Sequence, residues 1–292
     1  MRGVGESHGA ITFVNALPTG VGAAGAIGRG ARAEVELTPT PAGTVATSPE
    51  MTVGERTPLV QASFASALEA YANGEPYSGR LALASAIQPS VGLKSSSAVS
   101  VAILRAVARA LGRTTDDVEV ARRSADLSQG IGLSATGAFD DALACAAGGV
   151  AITDNRSRAV LRQSNLPSSL DAVLWIPPGT HAVSPRWKAA FEARATEGQA
   201  AVDAALAGDL FEAMERNTLL VESVMGYDYA AVRRRLKDAG ALGCSVSGLG
   251  PALACILPRE RVEDARSVLA GAPGTTLSAR LTGLGEPTGG RE

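Results

Sequence analysis

The chain has 292 residues and a mass of 29.6 kDa, enough for one large domain or two ordinary ones around a sizeable core. Apolar residues at 46% and charged residues at 19% exclude wholesale disorder. A net charge of -2 and an aromatic content of 4% exclude the basic footprint and the stacking platform of a nucleic-acid binder.

Along the chain, residues 10–15 (AITFVN) and 31–37 (ARAEVEL) predict strands, the second with clear alternation. The small residues between them, LPTGVGAAGAIGRG, are expected to form a tight loop. Residues 57–72 predict a helix with Thr57 as N-cap and Pro58 at its first position. A strand is expected over 80–87. The run from Gln88 to Ser97 leads into AVSVAILRAVARAL, a helical pattern ending at Gly112, and Thr115 is expected to cap a second helix, DDVEVARRSADL. A Gly/Ser/Thr loop over 129–138 precedes a short buried helix, Phe139 to Ala147. GGVAITDN and residues 171–176 read as strands. Residues 185–238 are helical, with breaks expected near Gly198, Gly208 and Gly226. Residues 243–257 read as strand, glycine-rich turn, strand. A helix over 260–270, a strand over 275–282 and a frayed tail, GEPTGGRE, complete the chain. Mixed rather than strictly alternating elements predict α+β in two lobes.

The N-terminus lacks the basic-then-apolar layout of a signal peptide, and no window of about 18 apolar residues is unbroken. Cys145, Cys244 and Cys255 form no CxxC pair and read as buried, reduced thiols of a cytoplasmic protein. His8 and His181 are too few for a zinc site or a histidine triad, so oxygen ligands, and hence magnesium, suit any metal better.

Three small-residue clusters carry the chemistry. Gly92-Leu93-Lys94-Ser95-Ser96-Ser97 opens a helix. Unpaired first-turn amides, close backbone approach at glycine, three hydroxyls and a lysine together make an anion cradle; a serine-rich cap on a core helix is the plainer alternative. It is not a Walker A loop, because Leu93 precedes the lysine where glycine is needed. Gly20 to Gly25 spells GxGxxG, but Pro18, Gly28 and Gly30 spoil the strand-turn-helix context of a dinucleotide site. Ser245 to Pro251 is either a hairpin turn or a close approach to a ligand. Asp140 and Asp141 stand in an apolar segment, where they serve either as helix N-terminal acids or as a catalytic base beside a bound cation.

The order of these clusters resembles the GHMP kinase superfamily. GAITFVNALPTGVGAAGAI (9–27), GLKSSSA (92–98) and TGAFDDA (136–142) are similar to the archaeal-type shikimate kinases, and the likeness continues through GGVAITDN (148–155) and SVSGLGPA (245–252). The resemblance implies a two-lobed α+β fold: a ribosomal protein S5 domain 2-like N-terminal lobe over 1–160 and a ferredoxin-like C-terminal lobe over 161–292. It implies ATP and Mg2+ in the cleft between them and shikimate as phosphoryl acceptor, in the cytoplasm, with neither nucleic acid nor membrane as partner and with room for a homodimer. Homoserine kinase is the nearest alternative, and a non-catalytic nucleotide or anion binder the alternative of another class.

By position, Pro89, Val91, Gly92, Leu93, Lys94, Ser95, Ser96 and Ser97 match the phosphate loop, with Lys94 also catalytic and Ser96 a ligand to phosphate or magnesium. Asp140 matches the catalytic aspartate and contacts the acceptor. Asn15, Gly20, Ser247, Gly248 and Gly250 match substrate-side positions. Asp141 is the expected metal ligand, because Gln129 stands where family members with a carboxylate ligand have glutamate; Asp126, or phosphates and water alone, are the alternatives. The acceptor's carboxylate is expected to pair with an arginine.

Overall fold

The structure, a computed structural model, describes residues 1–41, 48–179 and 185–287. Among them the first sheet contains β1 (Arg2–Val14), β2 (Val21–Pro39), β3 (Glu50–Val53), β4 (Tyr77–Ser85), β5 (Val150–Asp154) and β6 (Ala159–Ser164). Its order is β3-β4-β2-β5-β6, with β1 also on β2; β3 joins β4 in parallel and the other pairs are antiparallel. β2 pairs with β5 through Val21–Gly25 and with β4 through Ala31–Pro39.

The expected loop of small residues is therefore the first half of a strand. From Gly22 to Ile27 every residue is buried, so no alternation marks the strand. The small side chains leave room for neighbours: a Cβ on Gly25 would stand 2.9 Å from Phe13 Cζ. Only from Ala31 onward, where Arg32 and Glu34 point to water, does the two-residue period show.

Helix α1 (Pro58–Tyr71) has the expected cap, with Thr57 Oγ1 accepting from Val60 N at 3.3 Å. Helix α2 (Ser95–Ala110) lies on β1 and β2; Ile103 and Leu104 are fully buried, each contributing ~1.5–3 kcal/mol. Its small face comes so close to β1 that a Cβ on Gly5 would strike the Ala102 carbonyl. Helix α3 (Asp117–Gly130) is capped by Asp116, which accepts from Glu119 N at 2.9 Å; the expected cap, Thr115, lies one residue outside. Helix α4 (Phe139–Ala147) is buried along its whole length.

The chain then leaves the first sheet after Ser164. The second sheet, ordered β10-β7-β9-β8, contains β7 (Leu170–Ile176), β8 (Gly243–Val246), β9 (Leu253–Pro258) and β10 (Thr275–Arg280), all antiparallel. Between β7 and β8 run α5 (Pro185–Glu192), α6 (Ala195–Ala207), α7 (Leu210–Met225) and α8 (Ala230–Asp238). Gly208 and Gly226 end α6 and α7 in left-handed geometry. Gly198 breaks nothing: it lies inside α6, where a Cβ would stand 3.0 Å from Pro18 Cγ, so it is a packing residue. After β9 a 3-10 turn, Arg259–Arg261, leads into α9 (Val262–Leu269).

The tail is not frayed up to residue 287. Leu281 bridges Ile27, Gly285 N donates to Ala147 O at 2.9 Å, and the His8 ring meets Glu286 O at 3.1 Å. Residues 288–292, the rest of the expected tail, and His181 lie outside the described residues. All three cysteines are buried free thiols. Among the described residues, no helix is long and apolar enough to cross a membrane.

Candidate active site

Two helices begin at one cavity, and both begin in an unusual way. The N-cap of α2 is Lys94, with φ 63° and ψ 31°; that of α4 is Ala138, with φ 54° and ψ 51°. Neither is glycine, so each carries strain of ~1–3 kcal/mol, of the kind held at functional sites. Neither helix receives a side-chain cap from its N-cap residue. In α2 the first internal bond is Ala98 N to Lys94 O at 3.0 Å, so the amides of Ser95, Ser96 and Ser97 precede the ladder. Among the described residues the hydroxyls of these three serines make no hydrogen bond. Serine therefore does not cap α2, contrary to the plainer expectation, and the helix end remains polar and uncommitted.

The cavity has a volume of 390 Å³, within the range of small-molecule sites. Asn15 and Thr12 enter it from the end of β1, Lys94 from α2, Asp140 and Asp141 from α4, Gly248 from the β8–β9 turn, and Lys188 from α5. Leu17, Leu133, Trp187 and Leu249 supply apolar wall.

The charges at its floor are tightly arranged. Lys94 Nζ lies 3.1 Å from Asp141 Oδ2, and both side chains are only 11% exposed. Asp141 Oδ1 is buried without a hydrogen-bond partner. Asp140 is buried beside them, and Asn155 Nδ2 donates to its Oδ1 at 2.8 Å. Burial, and then the negative charge of Asp141, push Asp140 up to about 7, against the opposing pull of Lys94 and Asn155. Burial also raises Asp141, against the opposing pull of the Lys94 ammonium that pairs with it.

The turn between β8 and β9 is bolted to the first lobe. Ser247 Oγ donates to Gly92 O at 2.7 Å and accepts from Thr12 N at 3.1 Å. Gly248 N donates to Thr12 Oγ1 at 2.8 Å, and Asn15 Nδ2 donates to Gly248 O at 3.0 Å. Asn217 on α7 accepts from Asn15 N at 2.8 Å and donates to Ser245 Oγ at 2.9 Å. Gly92 is required here: φ is +92°, and a Cβ would stand 3.0 Å from the Ser247 carbonyl carbon.

Of the residues expected at the site, Asn15, Lys94, Asp140, Asp141 and Gly248 line the cavity, and Ser95, Ser96 and Ser97 form the adjoining helix end. Others do not reach it. Val91 and Leu93 turn their side chains into the core, and Pro89 sits exposed. The Ser247 hydroxyl is consumed by protein partners. Gly250 packs against Tyr227 before a cis bond to Pro251. Gly20 acts at a distance: its carbonyl accepts from Asn155 N at 2.8 Å, and Asn155 holds Asp140. Asp126 and Gln129 are both held by Arg158, at 2.9 and 2.7 Å, on the exposed face of α3 and off the cavity. No arginine lines the cavity among the described residues; the cations are Lys94 and Lys188. Lys188 and Asn217 carry no motif that marks them in the sequence, and Thr12 and Asn155 lie in segments of family likeness without being singled out there.

Residues 59–149 match the family of the GHMP kinases N terminal domain. Among solved structures, the chain is similar to homoserine kinase from Cytophaga hutchinsonii (TM-score 0.72, 18% identity, 97% of this chain and 96% of that one). Mevalonate kinase from Methanococcus jannaschii gives a TM-score of 0.71 at 14% identity, over 96% of this chain and 98% of that one. At these identities the likeness is one of fold. Sequence relatives are nearer. Shikimate kinase from Pyrococcus abyssi is 33% identical over 90% of this chain and 95% of its own, and that from Halobacterium salinarum 32% identical over 94% and 95%. The chain belongs to the archaeal-type shikimate kinases of the GHMP kinase superfamily.

Proposed function

We propose that this protein transfers the γ-phosphoryl group of ATP to shikimate, giving shikimate 3-phosphate and ADP, within the cytoplasmic route to chorismate. The observation that carries the reading is the meeting of an open helix N-terminus, Lys94 and a buried carboxylate, Asp140, in one cavity. Phosphoryl transfer requires positioning and charge neutralisation more than covalent help.

The free amides and hydroxyls of Ser95, Ser96 and Ser97 hold the nucleotide's terminal phosphates at the positive end of the α2 dipole. Lys94 adds a point charge. Asp140 orients the acceptor hydroxyl and takes its proton; with a pKa of about 7 it is matched to a proton acceptor at neutral pH. Lys188 pairs with the acceptor's carboxylate, in place of the expected arginine. Leu17, Leu133, Trp187 and Leu249 flank the bound ring and exclude water.

The donor set fits magnesium. Asp141 Oδ1 is a buried oxygen without a partner, and the Ser96 hydroxyl is free nearby on the phosphate loop. Among the described residues no group of three acidic, histidine or cysteine side chains forms a dedicated cage, which suits an ion bound mainly through substrate phosphates. When bound, the ion would neutralise phosphate charge, and Asp141 and Ser96 would hold it.

The test is ADP release from Mg-ATP with shikimate, homoserine or mevalonate as acceptor. Turnover with shikimate, and a phosphate ester at its 3-hydroxyl by NMR, is expected. Preference for homoserine would reassign the acceptor, and turnover with none would leave a binding module.

A further inference from the structure

The turn between β5 and β6 ends at Arg158, whose backbone has φ 56°, a left-handed conformation unusual for a bulky residue. The turn before it is tied down: Asp154 accepts from Arg156 N and from Ser157 Oγ, both at 2.8 Å. The Arg158 side chain is 13% exposed, and its planar fork reaches three segments of the chain. Nε donates to Asp126 Oδ1 at 2.9 Å and Nη2 to Gln129 Oε1 at 2.7 Å, both on α3. Nη1 donates to Asn155 O in its own turn and to Thr136 O at 2.8 Å.

The bond to Thr136 holds a wall of the cavity. Residues 131–138 join α3 to α4, and Leu133, Ser134, Ala135 and Thr136 line the site. The first half of this loop hangs on α3: Leu133 N and Ser134 N both donate to Ser128 O, at 2.9 and 3.1 Å. The second half has only a local bond, from Ala138 N to Thr136 Oγ1 at 3.2 Å. Among the described residues, the bond from Arg158 to Thr136 O is the one hydrogen bond that ties the loop to anything beyond α3 and α4. Gly137 lets the loop close against the guanidinium. Its φ is +81°, and a Cβ there would stand 2.8 Å from Arg158 Cζ and 2.9 Å from Ala125 O.

We propose that Arg158 is a positioning residue for the acceptor: it clamps the loop before α4 as the wall on which the acceptor rests, without touching the acceptor itself. The proposal rests on the kinase reading, in which this side of the cavity receives shikimate. The phosphates are assigned to the end of α2, to which Arg158 makes no bond, so the two substrates feel its loss differently.

Without the clamp, the loop is ordered for only part of the time, and the apparent affinity for the acceptor falls by that fraction. Loss of a charge-assisted hydrogen bond corresponds to a factor of about 10 or more. Arg158→Ala is therefore expected to raise the KM for shikimate about 10-fold, with the KM for ATP within about 3-fold of wild type. Arg158→Lys keeps the charge and one donor head but not the fork, and is expected to raise the KM for shikimate by about 3-fold. The amides of Leu133, Ser134 and Ala138, protected within the loop, are expected to exchange with solvent about 10-fold faster in Arg158→Ala, while those of α2 keep their protection.

The measurement is the KM for each substrate in wild type and both variants, with hydrogen exchange of the free proteins followed by mass spectrometry and circular dichroism to confirm folding. The exchange arm needs no acceptor. If wild type does not turn over shikimate but exchange accelerates in 131–138 alone, the clamp stands and the proposed function falls. If wild type turns over shikimate and Arg158→Ala leaves both its KM and the exchange of 131–138 unmoved, the proposal is wrong. It is equally wrong if both KM values rise together and α2 loses protection as well, because Arg158 is then merely structural. Should Arg158→Ala fail to fold, Arg158→Lys decides: wild-type values on both readouts would overturn the clamp.

Discussion

Replacing Gly22 by alanine tests the site through a residue that touches no ligand. Gly22 lies in β2 opposite Thr153, in ordinary strand geometry, so the backbone accepts alanine. The obstacle is Asp140. A Cβ on Gly22 would stand 2.7 Å from Asp140 Cγ, closer still to Oδ2, and 3.0 Å from Ala16 Cβ. Ordinary contact begins at 3.4 Å, so the carboxylate must retreat by about 0.7 Å or more. Asn155 opposes that retreat from the other oxygen, and α4 is buried along its length. The strain of overpacking is expected to cost ~1–3 kcal/mol of stability. The catalytic cost is larger in proportion: displacing a proton acceptor by about 1 Å lowers kcat by on the order of 100-fold. The assay is steady-state ADP release with saturating shikimate, alongside thermal unfolding. A variant that unfolds a few degrees lower but keeps kcat within about 3-fold of wild type would show that Asp140 does not face the reacting hydroxyl.

Three further outcomes follow from the same geometry. Asp140→Asn is expected to lower kcat by orders of magnitude and abolish the acid limb near pH 7, with the Kd for ATP little changed; near-normal turnover would remove Asp140 from the mechanism. Lys94→Ala is expected to raise the KM for ATP and to leave Asp141 buried without its cation, costing ~3–5 kcal/mol at neutral pH. Burial then holds the folded pKa of Asp141 above its unfolded value, so that loss shrinks as pH falls and the carboxyl takes up a proton; a deficit independent of pH by chemical denaturation would contradict the pairing. Lys188→Met is expected to raise the KM for shikimate about 10-fold or more while sparing the KM for ATP, with Lys188→Arg retaining most affinity; an unchanged shikimate KM would move the carboxylate partner elsewhere.

Where local chemistry decides structure, the sequence was readable. Thr57-Pro58 starts α1, and the apolar run from Phe139 to Ala147 is α4 to the residue. Where burial on both faces erases the period, it was not: the first half of β2 looks like a glycine-rich turn because its small residues accommodate Phe13 and Asp140 rather than bend the chain. The same distinction holds at the site. Gly92 to Ser97 and Asp140-Asp141 are legible because each is a contiguous cluster whose composition is odd for its surroundings. The Lys94–Asp141 pair is a product of the fold, joining two helix ends far apart in the chain. Lys188 reads as one more solvated helix lysine, with Glu192 a turn away at 3.9 Å, until α5 is seen at the cavity mouth. Ser247 was placed in the right motif, but its hydroxyl joins the lobes instead of meeting a ligand.

The acid pair and its lysine also settle a difficulty that the sequence poses. Two adjacent carboxylates in an apolar segment would be costly if both were ionised, and would repel any polyphosphate held at the neighbouring helix end as proposed. Lys94 removes half of the problem by pairing with Asp141. Burial removes much of the rest, because Asp140 at about 7 is only partly ionised at neutral pH. The dipole of α4 favours the remaining charge, since both acids lie in its first turn. Lys94 thus offsets Asp141, and Asp140 is only partly charged. A nucleotide bound as proposed would meet the open amides and hydroxyls of α2. Asp140 is itself held on both sides, by Asn155 donating to Oδ1 and by Gly22 lying against Oδ2.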